Sequence, residues 1–81
     1  MTTDEQVTVF TASGCMQCRM TARALEQAGI AFVLVDITDK PDVADQLREA
    51  GFQQLPVVRA PGHATWSGFR PDKITELETA A

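Results

Sequence analysis

Polar and apolar residues alternate in part along Gln6, Val7, Thr8, Val9, Phe10 and Thr11, which predicts a β-branched strand over residues 6–11. Ala12, Ser13 and Gly14 break that pattern, and from Met16 the period lengthens. Met20, Ala24, Leu25 and Ala28 recur near three-to-four spacing, predicting a helix over residues 16–28 that Gly29 ends. Ala31, Phe32, Val33, Leu34 and Val35 then run apolar without a break, the pattern of a strand buried on both faces of a parallel sheet. Together the three segments form a βαβ unit of about thirty residues, the length such a crossover needs.

The second half reads in the same way. Thr38, Asp39, Lys40, Pro41 and Asp42 open another helix, with acids at its positive end and proline in its first turn. Val43, Leu47 and Ala50 form its expected apolar stripe, and Gly51 stops it. Residues 56–59 and 64–67 read as two short strands joined at Pro61 and Gly62, a hairpin. Pro71 starts a last helix whose inward positions are Ile74 and Leu77. The predicted order is βαβαββα: one α/β domain over residues 1–81, with a four-stranded mixed sheet and three helices. The chain contains no internal repeat, low-complexity tract or linker.

Composition narrows the function classes. Eighty-one residues make one domain with one modest core, leaving no room for a separate cofactor domain. The longest mostly apolar stretch, residues 28–35, falls far short of the ~20 residues that span a bilayer. Met1, Thr2, Thr3, Asp4 and Glu5 lack the basic and then apolar start of a secretory signal, so a cytoplasmic location is expected. Seven Lys and Arg against eleven Asp and Glu give a net charge of −4, and the cations are scattered. That distribution argues against nucleic acid as a partner, since neutralising phosphates needs a clustered basic footprint.

The two cysteines, Cys15 and Cys18, carry the chemistry. A disulfide-stapled domain of this size carries four to eight cysteines at wider spacing. One bridge over so short a loop removes only about 2 kcal/mol of unfolded-chain freedom. Stapling is therefore a poor reason for the pair, and a reaction is a better one. Both cysteines sit where the first strand gives way to the first helix. There, unpaired N–H groups and partial positive charge favour a thiolate over a thiol. Cys15, at the very end, gains most from this; Cys18, one turn further in, is expected to be more buried. Their offset brings both sulfurs to one face, close enough to bridge. Thiol–disulfide exchange follows: Cys15 attacks a partner disulfide and Cys18 resolves the mixed disulfide. Arg19 either adds positive potential there or is a solvated surface cation. Two alternatives stay open, a pair of inert cysteines and a metal shared between two copies. A zinc site within one chain is disfavoured, because His63 is the only histidine beside the two thiols.

Gln53, Gln54, Leu55, Pro56, Val57 and Val58 add a proline at a strand start. It marks a turn or a cis bond, and a trans strand-edge proline is the default from the residues alone. At this point the chain resembles the thioredoxin fold in its short, glutaredoxin-like form. The likeness rests on the βαβαββα order, the Cys-x-x-Cys at the first helix and the proline before the third strand. Cys15, Met16, Gln17 and Cys18 are similar to the CxQC site of the NrdH-redoxins. Trp66, Ser67, Gly68, Phe69, Arg70, Pro71 and Asp72 resemble that family's signature segment.

The resemblance implies a carrier with no bound cofactor. Thioredoxin reductase, a flavoprotein using NADPH, would reduce the Cys15–Cys18 disulfide, and the dithiol would reduce the large subunit of class Ib ribonucleotide reductase. It makes Cys15 the attacking thiol, Cys18 the resolving thiol and Pro56 a cis-proline. Met16, Gln17, Leu55 and Pro56 would meet partners, and Trp66, Ser67, Gly68, Phe69 and Arg70 would form a specificity surface in a monomer. On the residues alone, Trp66 and Phe69 read equally well as packing, and Arg70 as a cover for apolar surface. A glutathione-dependent glutaredoxin or general protein disulfide reductase, and a non-catalytic metal-binding module of the same fold, are the alternatives. Glutaredoxins that use glutathione usually carry a glycine pair and an acid where this chain has Trp66, Phe69 and Arg70. Thioredoxins usually carry a buried carboxylate in the strand before the cysteines. Here Thr8 and Thr11 are that strand's polar residues, so Thr11 or a water is the expected proton route for Cys18.

Overall fold

A computed structural model describes residues 6–80; the acidic opening, residues 1–5, lies outside them. Strand β1 (Val7–Thr11) leads into helix α1 (Met16–Gln27), followed by β2 (Phe32–Asp36) and α2 (Pro41–Glu49). The chain then forms β3 (Val57–Arg59), β4 (Trp66–Ser67) and α3 (Pro71–Ala80). This is the predicted order, with a four-stranded sheet arranged β2-β1-β3-β4. β1 runs parallel to β2 and antiparallel to β3, and β4 closes a hairpin with β3. The sheet is therefore mixed, as its connections require: a helical crossover for the parallel pair and a short loop for the hairpin.

The register explains where the core lies. Val9 stands opposite Val58, and Val58 opposite Trp66, so these three share one face of the sheet. Leu25 of α1 and Ile74 and Leu77 of α3 pack on that face together with Val7 and Ala60. Ile74 and Leu77 thus point inward as the sequence predicts.

Three expectations need correction. The apolar run in β2 does not mark a strand buried on both faces: Leu34 is 55% exposed and Val33 39%. β2 is an edge strand, and α2, which follows it, buries none of its residues completely. An unbroken apolar run cannot by itself tell an edge strand from a central one. On α1, Met20 is 46% exposed, and the buried residues are Cys18, Thr21 and Leu25. The inner face is thus rotated by about one residue from the predicted stripe, although Ala24 and Ala28 still pack against the core. On α2, Ala50 is exposed, while Val43, Ala44 and Leu47 are half-buried.

This distribution of burial sets the expected cost of truncation. Leu25→Ala should lower the stability of the oxidised protein by about 2–5 kcal/mol, as a completely buried leucine does. Leu34→Ala should cost less than about 0.5 kcal/mol. Urea unfolding of the two variants checks the edge position of β2; equal losses would contradict it.

Candidate active site

The loop between β1 and α1 is built to stop one element and start another. Gly14 adopts φ +76°, a left-handed conformation that glycine takes without a Cβ penalty. The Cys15 amide donates to the Ala12 carbonyl at 3.3 Å, closing the turn. Cys15 then takes the N-cap position of α1 with extended backbone, φ −85° and ψ 106°. Its sulfur accepts the Cys18 amide at 3.2 Å, so one of the helix's unpaired N–H groups points at Sγ.

Cys15 and Cys18 form a disulfide, with their Cα atoms 5.3 Å apart. Their surroundings differ sharply. Cys15 is half-buried, whereas Cys18 is 2% exposed and sits on the inner face of α1. An incoming sulfur can reach Cys15 and is shielded from Cys18. Met16, 69% exposed, stands beside the pair.

The cysteine loop is held from two sides. The Ser13 amide donates to Thr38 Oγ1 at 3.1 Å, and the Thr38 amide donates to Asp36 Oδ1 at 2.8 Å. Hydrogen bonding from Thr38 holds the Asp36 carboxyl below the usual carboxylate range, with Lys40 adding a smaller effect. A lowered carboxyl stabilises the fold at neutral pH, and that contribution is lost only as the solution falls through its depressed value, below about 3.9. On the other side, Gln17 Oε1 accepts the Phe69 amide at 3.1 Å across 52 residues of sequence. The Gly68 amide donates to the Pro56 carbonyl at 2.8 Å. The Leu55–Pro56 bond is cis, which decides between the two isomers the sequence left open.

The signature segment thereby comes to the cysteines. Gly68 has φ +86°, and a Cβ built there would lie 3.6 Å from Gln17 Oε1 and 3.9 Å from Gln54 Nε2. Trp66 is buried in the core, so its side chain supports the segment from beneath. Ser67 and Phe69 are half-buried and Arg70 is exposed. Arg70 donates through Nε and an Nη to the two Asp72 oxygens, at 3.1 and 2.9 Å. This pair holds the Asp72 carboxyl below its ordinary value and pushes the guanidinium further up. Both groups are exposed, so the pair orients Arg70 at the start of α3 more than it stabilises the fold. Leu55 is half-buried and lines a cavity of about 170 Å³ with Ile37, Leu47, Phe52 and Val57. Thr11 is half-buried, and its carbonyl accepts the Ile37 amide at 2.8 Å.

One residue escaped the sequence reading. Thr21, one turn after Cys18, is completely buried. A polar residue three positions after the second cysteine, with Leu25 following on the same face, is the available signal. Among the described residues no three His, Cys, Asp or Glu side chains come together to hold a metal. No helix among them is long and apolar enough to cross a membrane.

A four-stranded mixed sheet of this order, with a Cys-x-x-Cys disulfide at the start of its first helix, defines a thiol–disulfide redox protein of the thioredoxin-like fold. Residues 7–64 match the glutaredoxin family. The glutaredoxin-like protein NrdH of Salmonella typhimurium is 51% identical over 71 residues, spanning 88% of this chain and 86% of that protein. The chain belongs to the NrdH glutaredoxin-like proteins. The Escherichia coli K12 NrdH protein is 45% identical over 75 residues, covering 93% of this chain and 91% of its own. A solved structure of the NrdH-redoxin from Escherichia coli superposes with a TM-score of 0.83 at 46% identity, covering 89% of this chain and 93% of that one.

The contact between Gln17 and Phe69 can be tested by itself. Gln17→Ala should speed hydrogen exchange at the Phe69 amide by about 5–10-fold, the effect of losing one hydrogen bond of ~1 kcal/mol. Global stability should fall by no more than that. Unchanged exchange at Phe69 would show that Gln17 does not hold the segment.

Proposed function

We propose that this chain is a cytoplasmic dithiol carrier. It takes two electrons from NADPH through a flavin-containing thioredoxin reductase and passes them to the large subunit of a class Ib ribonucleotide reductase. The observation that carries this reading is the unequal burial of one bonded pair of sulfurs, Cys15 accessible and Cys18 covered. The Escherichia coli relative, whose structure is described as explaining a thioredoxin-like activity profile, supports the same direction.

The exchange runs through Cys15. A reductase thiolate attacks Cys15 Sγ, forming a mixed disulfide and releasing Cys18; the reductase's second thiol then frees Cys15 and leaves the carrier as a dithiol. In the forward direction the Cys15 thiolate attacks the acceptor's disulfide. Cys18 next attacks Cys15 Sγ, the intramolecular bond re-forms, and the acceptor leaves with both of its sulfurs reduced. Two electrons and two protons move per cycle, and the carrier needs no bound cofactor. The N-terminus of α1 stabilises the Cys15 thiolate in both directions, as attacker and as leaving group.

Partner choice falls to the side chains left open near the cysteines and on the signature segment, Met16, Gln17, Leu55, Ser67, Phe69 and Arg70; those of Pro56 and Trp66 are buried and support that surface from within. In that segment Arg70 is oriented by Asp72, and Phe69 is fixed by Gln17. The segment offers a protein surface where glutaredoxins using glutathione would grip a tripeptide. One domain acting as a monomer suffices for this role.

Two comparisons test the reading. With NADPH and thioredoxin reductase the chain should reduce a protein disulfide; with NADPH, glutathione and glutathione reductase it should not. Activity confined to the glutathione system would replace this proposal with a glutaredoxin. Separately, Cys18→Ser should trap a mixed disulfide with a substrate protein, visible as a mass gain, and Cys15→Ser should trap none. Equal trapping by both variants would remove the assigned asymmetry.

A further inference from the structure

We propose that the Thr21 hydroxyl is a positioning group for the sulfur of Cys18, unused in the disulfide and hydrogen-bonded to Cys18 in the dithiol. The inference rests on the carrier reading above and adds a residue to it. Thr21 is 0% exposed, and its Oγ1 has no hydrogen-bond partner. A buried hydroxyl left unpaired carries its full desolvation cost. Valine has nearly the same branched shape without that cost. The position therefore holds a polar group where an apolar one would make the disulfide form more stable.

Geometry says what the hydroxyl serves. Cys18, Thr21 and Leu25 are the buried residues of α1, and positions three apart are neighbours on one helix face. Helical side chains lean toward the N-terminus, so Thr21 leans over the turn that carries Cys18. In the disulfide, Cys18 Sγ is bonded to Cys15 and is a weak acceptor. Once that bond opens, Cys18 carries a proton or a negative charge at a position 2% exposed, where bulk water does not serve it. Thr21 can accept from the thiol or donate to the thiolate. Among the described residues it is the one hydroxyl-bearing or charged side chain buried in the core. Trp66 Nε1 is also buried without a partner, but an indole only donates, and Trp66 belongs to the core row with Val9 and Val58.

In the resolving step the Cys18 thiol gives up its proton, and its sulfur forms a bond to Cys15 Sγ. The bond between Cys15 and the partner breaks, and the electron pair leaves on the partner's sulfur, which ends with the proton. Thr21 neither gains nor loses a proton. It donates to Cys18 while charge builds there, and it favours the dithiol because only that form uses it.

The test uses the full chain and two variants, Thr21→Val and Thr21→Ser. Each is equilibrated with dithiothreitol redox buffers. Each is also prepared in reduced form and mixed with the disulfide of thionitrobenzoate: attack by Cys15 releases the first thionitrobenzoate, and closure of the Cys15–Cys18 bond is read from the release of the second. Thr21→Val should shift the equilibrium toward the disulfide by about five-fold and slow closure by a similar factor, the size of one net hydrogen bond. Its oxidised form should unfold in urea at the same or a higher midpoint. Thr21→Ser should restore both redox readouts. Wild-type equilibrium and closure in Thr21→Val would overturn the inference and leave the hydroxyl to a structural pairing, with Trp66 through water for example. A serine variant that behaves like the valine one would overturn it equally. Wild-type protein that never closes its own disulfide would remove the carrier reading itself.

Discussion

The site is organised around a sulfur at the N-cap of a helix. Cys15 receives the Cys18 amide in the way that serine or aspartate would at an ordinary cap, yet sulfur is a far weaker acceptor. The helix thus begins with a poorer cap than its length would favour, and the positive end of its dipole is little offset. The rest of the chain accentuates this. α2 has Asp42 in its first turn and α3 has Asp72, but the first turn of α1 has no acid. In a protein with eleven carboxylates, the helix end that meets the cysteines is spared one. The positive potential there is left for the charge that Cys15 would acquire, in the proposed exchange, when the disulfide opens.

That arrangement needs a rigid surround, because a weakly capped helix end frays easily. The two sides supply it differently. The turn after β2 holds the cysteine loop through Asp36, Thr38 and Ser13, a chain of backbone and side-chain hydrogen bonds. The segment before α3 holds α1 itself through Gln17 and Phe69, and the same segment ties back to Pro56 through Gly68. The residues that would meet a partner are thus the residues that fix the cysteines. The Gln17–Phe69 hydrogen bond thus ties the segment before α3 directly to the first turn of α1, next to Cys15.

Much of this was legible in the sequence, and the gaps have physical causes. The alternation of Val7 and Val9, the turn glycines and the Cys-x-x-Cys at a strand–helix junction are local signals, and they placed the elements and the reacting pair. Edge or centre is not local: the exposed Leu34 and the buried Val58 lie in equally apolar runs, and only the order of the sheet separates them. Helix faces fail for a subtler reason. At 100° per residue, choosing Met20 over its neighbour Thr21 rotates the inner face by one position, and apolarity alone prefers the methionine. The contact from Gln17 to Phe69 spans 52 residues, and no periodicity announces it.

The packing also shows why the polar exception at Thr21 is tolerated. The face carrying α1 and α3 holds Val9, Leu25, Val58, Trp66, Ile74 and Leu77, whereas α2 covers the other side without burying a residue completely. The larger packed cluster therefore lies on the side of α1 and α3. A hydroxyl inserted at the active end of that layer costs something, but Leu25 one turn further along is fully buried and keeps the helix seated. The other half, with its exposed edge strand and half-buried helix, contributes less to that layer and holds the loop chiefly through Thr38.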